Sequence, residues 1–181
     1  AMAVNRILPE DIVVVKSEEV PLDFHPRYCD CEKTYEYHIV NTRIPIPTKR
    51  LTNYFVSYEL DLDKMREGAS YLIGEHDFAS FCNIKTDVES TVRTVKELEI
   101  LENGEEITIR ISGNGFLYNM ARAMAGTVVY CAEGKIQPEE IGKILDSGNR
   151  TAAGPTVPPG GLYMTHLWYD DGIEKFECSS R

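Results

Sequence analysis

Apolar residues recur along this chain in two rhythms, one of period two and one of helical period, and together they divide it into elements. Asp11 to Lys16 carries Ile12-Val13-Val14-Val15, a β-branched run that predicts a short buried strand. Lys33 to Asn41 alternates, with Tyr35, Tyr37 and Ile39 on one face and Thr34, Glu36 and His38 on the other, the pattern of a half-buried strand. The two prolines between Asn41 and Lys49 mark a connection. Asp61 opens a helix with Leu62, Met65, Ala69 and Leu72 at helical spacing and Gly74 as its stop. Thr91 to Leu101 and Glu105 to Ser112 flank Glu102-Asn103-Gly104, a hairpin signal, and Ile107, Ile109 and Ile111 share one face of the second strand. A helix then opens on the Gly113-Asn114-Gly115 turn and runs to about Gly134, with Phe116, Met120, Ala123 and Thr127 on one stripe and Tyr118, Arg122 and Gly126 on another. Pro138 begins a further helix through Ile141, Ile144 and Leu145 to Gly148. The segment 150–161 is a loop rich in proline and glycine, and Leu162 to Tyr169 is a closing strand. A hairpin, further strands and interspersed helices predict an α+β fold with a largely antiparallel mixed sheet and helices packed on it.

Composition narrows the class. A chain of 181 residues with 43% hydrophobic content can bury one core, so residues 4–170 read as a single domain and 171–181 as a polar tail. Ala1-Met2-Ala3 reads as a cloning remnant. No apolar run approaches the roughly 18 to 20 residues that a bilayer-spanning helix needs, and the start is not a secretory leader. The five cysteines are odd in number and scattered, which suits reduced thiols in a cytoplasmic protein. Cys29-x-Cys31 lacks the spacing of a zinc knuckle and has no second pair, so no metal site is expected.

A net charge of −10 argues against nonspecific nucleic-acid binding by the whole surface. It leaves open a local basic face, for which Lys33, Arg43, Lys49, Arg50 and Arg122 are candidates if the acids of 97–106 and 170–177 lie elsewhere.

Arg122 is the only cation in a helix otherwise built from apolar and small residues. A guanidinium among apolar neighbours costs several kcal/mol unless it is paired, so Arg122 either snorkels to the surface or awaits an anion in a cleft. His76-Asp77 with Ser80 invites a hydrolase reading, but no Gly-x-Ser-x-Gly is present, and tying down the loop after the first helix is the competing role. Gly113-Asn114-Gly115 fits a tight turn better than a phosphate cradle.

Gly113-Asn114-Gly115-Phe116-Leu117-Tyr118-Asn119-Met120-Ala121-Arg122 resembles the C-terminal signature of the tRNA pseudouridine synthase A (TruA) family. Four further stretches agree in the family's order: Asn5 to Ile12, Phe24-His25-Pro26-Arg27 leading to Lys33-Thr34-Tyr35-Glu36-Tyr37, Gly74 to Phe81, and Ala153 to Tyr163. The resemblance spans roughly residues 4 to 170. The family's nucleophilic aspartate, in an Arg-Thr-Asp-x-Gly-Val-His motif upstream of the Leu-Pro-x-Asp-Ile stretch, has no counterpart here. Thr86-Asp87-Val88 is the nearest echo, but Lys85 precedes it and no Gly-Val-His follows. The chain therefore reads as the C-terminal part of such an enzyme, inactive alone. The alternative is a noncatalytic RNA-binding or dimerising module that has lost the aspartate.

The resemblance implies isomerisation of uridine to pseudouridine at positions 38 to 40 of the tRNA anticodon stem-loop, by a homodimer, without metal or cofactor. It implies that Tyr35 packs against a base flipped from the stack, where aromatic stacking is worth roughly 1–3 kcal/mol; an ordinary strand tyrosine is the competing role. It places Arg122 where the family keeps the cation that pairs with the catalytic aspartate, so that here Arg122 should be unpaired or held by a solvent anion. Leu162 matches an apolar position at the pocket wall, with core packing as the competing role.

Overall fold

In the computed structural model, residues 1–26, 29–82, 88–169 and the backbone of 176–177 are described. Arg27, the Thr86-Asp87 echo, Cys178 and most of the polar tail fall outside them. One seven-stranded sheet carries the fold. Its strands are β1 (Cys31–Asn41), β2 (Tyr54–Val56), β3 (Gly74–Asp77), β4 (Val92–Asn103), β5 (Glu106–Gly113), β6 (Leu162–Tyr169) and β7 (Phe176–Glu177). They lie in the order β3-β4-β5-β1-β6-β7. All these neighbours are antiparallel, while β2 runs parallel to β1 and continues the edge beyond Leu162, where β6 begins. Helices α1 (Leu62–Ser70), α2 (Met120–Ala132) and α3 (Glu140–Ser147) complete the α+β fold. Among the described residues, no helix is long and apolar enough to cross a membrane.

The alternation in β1 becomes a division between two faces. Tyr37 and Ile39 are fully buried, in one core with Ile109, Ile111, Met120 and Met124. On the opposite face Glu36 accepts from Arg110 (3.0 Å) and lies 3.2 Å from His38, and Arg110 also reaches Glu99. Thr34 departs from the simple alternation, because it is buried on the polar face by its hydroxyl pair with Ser112 (2.8 Å). The hairpin turn falls one residue later than the sequence suggests. Asn103 pairs with Glu106, and Gly104, at φ +62°, supplies the left-handed conformation of the first turn position.

Three expectations are corrected. The β-branched run at 12–15 joins no strand, and Ile12, Val13 and Val15 are 52%, 67% and 69% exposed. Composition signals a surface that wants cover, but burial requires a partner, and among the described residues none covers this run. Asn5 meets the run, its side chain both donating to the Val14 carbonyl and accepting from the Val14 amide at 2.8 Å each, and the Ile12 amide donates to the Pro9 carbonyl at 3.1 Å. Second, α2 begins at Met120, so Phe116 and Tyr118 precede the helix instead of forming its first stripe. Third, α1 ends at Ser70, and Gly74 (φ +115°) opens the unanticipated strand β3 instead of closing the helix. Asp61 does cap α1, accepting from the Lys64 amide at 3.1 Å.

Helix α2 is buried almost all round, since α1, the sheet and the proline-glycine segment after α3, which crosses it, all pack against it. That crossing needs two glycines. A Cβ on Gly126 would lie 1.9 Å from the Pro155 carbonyl oxygen, and one on Gly154 would lie 2.6 Å from the backbone of Thr127. Thr127 joins the two, donating to Ala123 O (2.8 Å) and accepting from the Gly154 amide (2.9 Å). Gly126→Ala is expected to lower the unfolding free energy by about 2–3 kcal/mol, since backbone must move to admit the methyl. Gly142→Ala, in open space within α3, should raise it by about 0.5–1 kcal/mol. Urea titrations of the two variants check the contrast, and equal effects would refute the close approach.

Candidate functional site

The crossing segment determines where Arg122 points. Val157 binds it twice: the Val157 amide reaches the Arg122 carbonyl at 3.5 Å, and the Arg122 Nε donates to the Val157 carbonyl at 2.6 Å. Arg122 also donates through Nη1 to Asn119 Oδ1 at 3.0 Å. Asn119 precedes α2 with φ +63°, the one positive φ outside glycine among the described residues. Asparagine tolerates that conformation better than other residues. Arg122 was expected to stand unpaired or to be held by a solvent anion; its Nε is held by a backbone carbonyl and its Nη1 by an amide oxygen, both neutral. Among the described residues no carboxylate lies within ion-pair distance of it. The guanidinium is aimed by neutral acceptors that leave its charge unneutralised.

Tyr37 holds the next residue of the same segment. Its hydroxyl donates to the Pro158 carbonyl at 2.8 Å, one residue beyond the carbonyl that holds Arg122. Burial, reinforced by neighbouring Tyr54, pushes the Tyr37 phenol well above its ordinary range against the opposing pull of the Arg122 charge. Tyr35 lies two residues along β1 on the same face, partly buried, with its ring edge-on to Phe116 at 5.0 Å between centroids. Its phenol is also raised, by burial and then by Cys31. Leu162 begins β6 directly opposite Tyr37 in the register and packs against the core. Tyr35 and Leu162 therefore share the helix-covered face of the sheet with Tyr37, and Arg122 meets the crossing segment one residue from the carbonyl that Tyr37 holds.

Tyr37 and Asn119 were not singled out from the sequence as site residues. Asn119 was discoverable, because an amide three residues before an arginine at a helix start is spaced to meet it. Tyr37 was not, since its partner is a carbonyl 121 positions away. The His76-Asp77-Ser80 cluster is structural. His76 meets the Ile73 carbonyl (3.0 Å), Asp77 accepts from the Ala79 amide (2.9 Å), and buried Ser80 donates to the Ile144 carbonyl (2.5 Å). The proposed basic face is reduced as well, because Lys49 pairs with Glu106, one of the acids expected elsewhere.

Comparison with known proteins bears on what this face is for. The family model described as tRNA pseudouridine synthase matches residues 69–170, a span that contains Arg122 and Leu162. A tRNA pseudouridine synthase A from Bacillus licheniformis is 46% identical over 169 residues, covering 93% of this chain and 68% of that protein. The chain belongs to the tRNA pseudouridine synthase A family. A Thermoanaerobacter protein of the same name is 46% identical over 167 residues, and the Bacillus subtilis one 43% over 169. Each relative is covered to 68% of its length.

The Tyr37 contact yields a prediction with a pH signature. Tyr37→Phe should cost about 0.5–1.5 kcal/mol at neutral pH, because the part-buried hydrogen bond from the phenol to the Pro158 carbonyl is lost. The folded phenol is raised, so its contribution is present below the ordinary tyrosine range near 10 and is lost as pH rises beyond it. The alkaline decline in stability should therefore be shallower in Tyr37→Phe than in the parent. Denaturant titrations at pH 8 to 11 measure both effects, and parallel pH profiles would count against the buried phenol.

Proposed function

We propose that this chain supplies the wall of a uracil pocket in an enzyme that converts uridine to pseudouridine in tRNA, at positions 38 to 40 of the anticodon stem-loop. The reaction cleaves the bond from the ribose to a ring nitrogen, turns the uracil, and rejoins it through a ring carbon. A stacked base cannot turn, so the uridine must leave the helix and be held. In this reading Tyr35 packs against the flipped uracil, with its ring fixed by Phe116. Leu162 lines the wall. Arg122 pairs with the carboxylate of an Arg-Thr-Asp-x-Gly-Val-His segment that these 181 residues do not contain. A cation paired with a carboxylate keeps it ionised, and the planar guanidinium fixes its direction.

The observation that carries the reading is Arg122 itself. Two of its donors are spent on neutral acceptors, and its charge lies beside a buried tyrosine without a carboxylate partner among the described residues. A snorkelling arginine would extend to water. The same reading makes residues 4–170 one unit, acting without metal or cofactor in a cytoplasmic homodimer. The local cations, not the overall charge of −10, would meet the RNA.

With unmodified tRNA carrying tritium at uridine C5, the chain alone is expected to release none, because no other group replaces the carboxylate. Fused behind the Arg-Thr-Asp-bearing segment of a relative, it should release tritium at 38 to 40. Arg122→Lys should then lower kcat by about 10²-fold or more while tRNA binding persists. Release by the chain alone, or an Arg122→Lys fusion with full kcat, would overturn the assignment. A fusion that binds tRNA without turnover would favour the noncatalytic module.

A further inference from the structure

The segment that holds Arg122 and Tyr37 has a second side. Beside it lies a cavity of about 510 Å³, lined by Ile46, Pro47, Tyr54, Phe55, Pro158 and Gly160. This volume falls within the range of small-molecule pockets, and the lining is mostly apolar with few polar groups, as such pockets are. Three polar residues enter it, and their states differ. Lys49 is committed to Glu106. Arg50 is exposed and spends Nη1 on the Pro47 carbonyl at 3.1 Å, and among the described residues it has no carboxylate partner. Asn53 has an amide nitrogen shut off from solvent with no acceptor, the sole such side-chain atom among the described residues.

We propose that this cavity receives a second nucleotide of the RNA, a base splayed out of its stack next to the modified uridine; this rests on the function proposed above. The chemistry is that of a nucleotide. Proline and aromatic surfaces suit the flat face of a base, and the Arg50 guanidinium suits the attached phosphate. Position favours it too. Pro158 belongs to both sites, its carbonyl held by Tyr37 and its ring lining the cavity, while Tyr54 lines the cavity with its ring 6.2 Å from that of Tyr37. In a chain of net charge −10, an unneutralised arginine at the mouth of an apolar cavity is a local attraction for a polyanion.

Uridine 5′-monophosphate titrated into the isotope-labelled chain tests this by amide NMR, with inorganic phosphate as the control. Saturable shifts are expected at Arg50, Phe55 and Gly160 with the nucleotide, weakened at least 5-fold by Arg50→Ala and removed by cavity-filling Ile46→Trp. Shifts equal with phosphate alone would reduce the site to an anion contact and overturn the inference. In parallel, binding of a labelled anticodon stem-loop should weaken about 5- to 10-fold in Ile46→Trp, with the fold checked by unchanged amide dispersion. If Ile46→Trp leaves RNA binding intact while Tyr35→Ala weakens it, the second site fails and the uracil pocket stands. If Tyr35→Ala has no effect while Ile46→Trp does, the second site stands and the uracil-pocket assignment fails.

Discussion

The backbone-to-backbone approach of helix α2 and the segment 154–158 is the constraint on which the rest of this structure depends. It exists because Gly126 and Gly154 carry no side chains where the two chains touch, with 1.9 Å and 2.6 Å left for a hypothetical Cβ. Side chains cannot enter a contact of that kind, so the helix is locked in rotation and translation against the strap. Arg122 lies one turn before Gly126, and its guanidinium therefore meets the Val157 carbonyl in a single geometry. Arg150 reinforces the strap from outside, donating to the Gly154 carbonyl and the Thr156 hydroxyl at 2.8 Å each.

The sheet distributes its chemistry between two faces. On the helix side, tyrosines 35 and 37 are buried to different degrees. Tyr37 is sealed beneath the strap and bonded, and Tyr35 is part-covered with its ring steadied by Phe116. The sealed residue suits scaffolding and the part-covered one suits contact with a ligand. On the far side acids and bases meet each other, as Glu36 with Arg110, Glu106 with Lys49, and Glu32 with Lys96. Such exposed pairs add little stability individually. Their larger consequence is electrostatic, for they neutralise cations locally and leave Arg122 and Arg50 as charges flanking one strap.

The two arginines also show why net charge is a poor guide to what a protein binds. The whole chain is acidic, yet each of these guanidiniums is positioned by neutral acceptors instead of carboxylates. A neutral acceptor orients a cation without cancelling its field. An acidic protein can in this way present a local positive potential beside an apolar pocket, which is the arrangement that a phosphate-bearing aromatic ligand requires.

Local pattern determined most of the elements. Strict alternation in Lys33 to Asn41 and in Glu105 to Ser112 specified β1 and β5 and their buried faces, because a side-chain period of two leaves one register that buries Tyr37, Ile39, Ile109 and Ile111 together. Helical spacing specified α1 and α3, and Asp61 and Gly148 marked an end of each. The ordered motifs, above all Gly113 to Arg122, singled out Arg122 and Tyr35 without any structure. What sequence could not decide was set by contacts between distant segments. The run at 12–15 has every local property of a buried strand and stays exposed, because burial is a relation between two surfaces. The short strands β2 and β3 exist only because long neighbours template them. Tyr37 became a site residue through a carbonyl far along the chain, and Arg122 found neutral partners where pairing logic called for an anion. Residue type and spacing prescribe what each segment can bury or bond, but which partner it meets is decided by where the close glycine contacts let the chain pass.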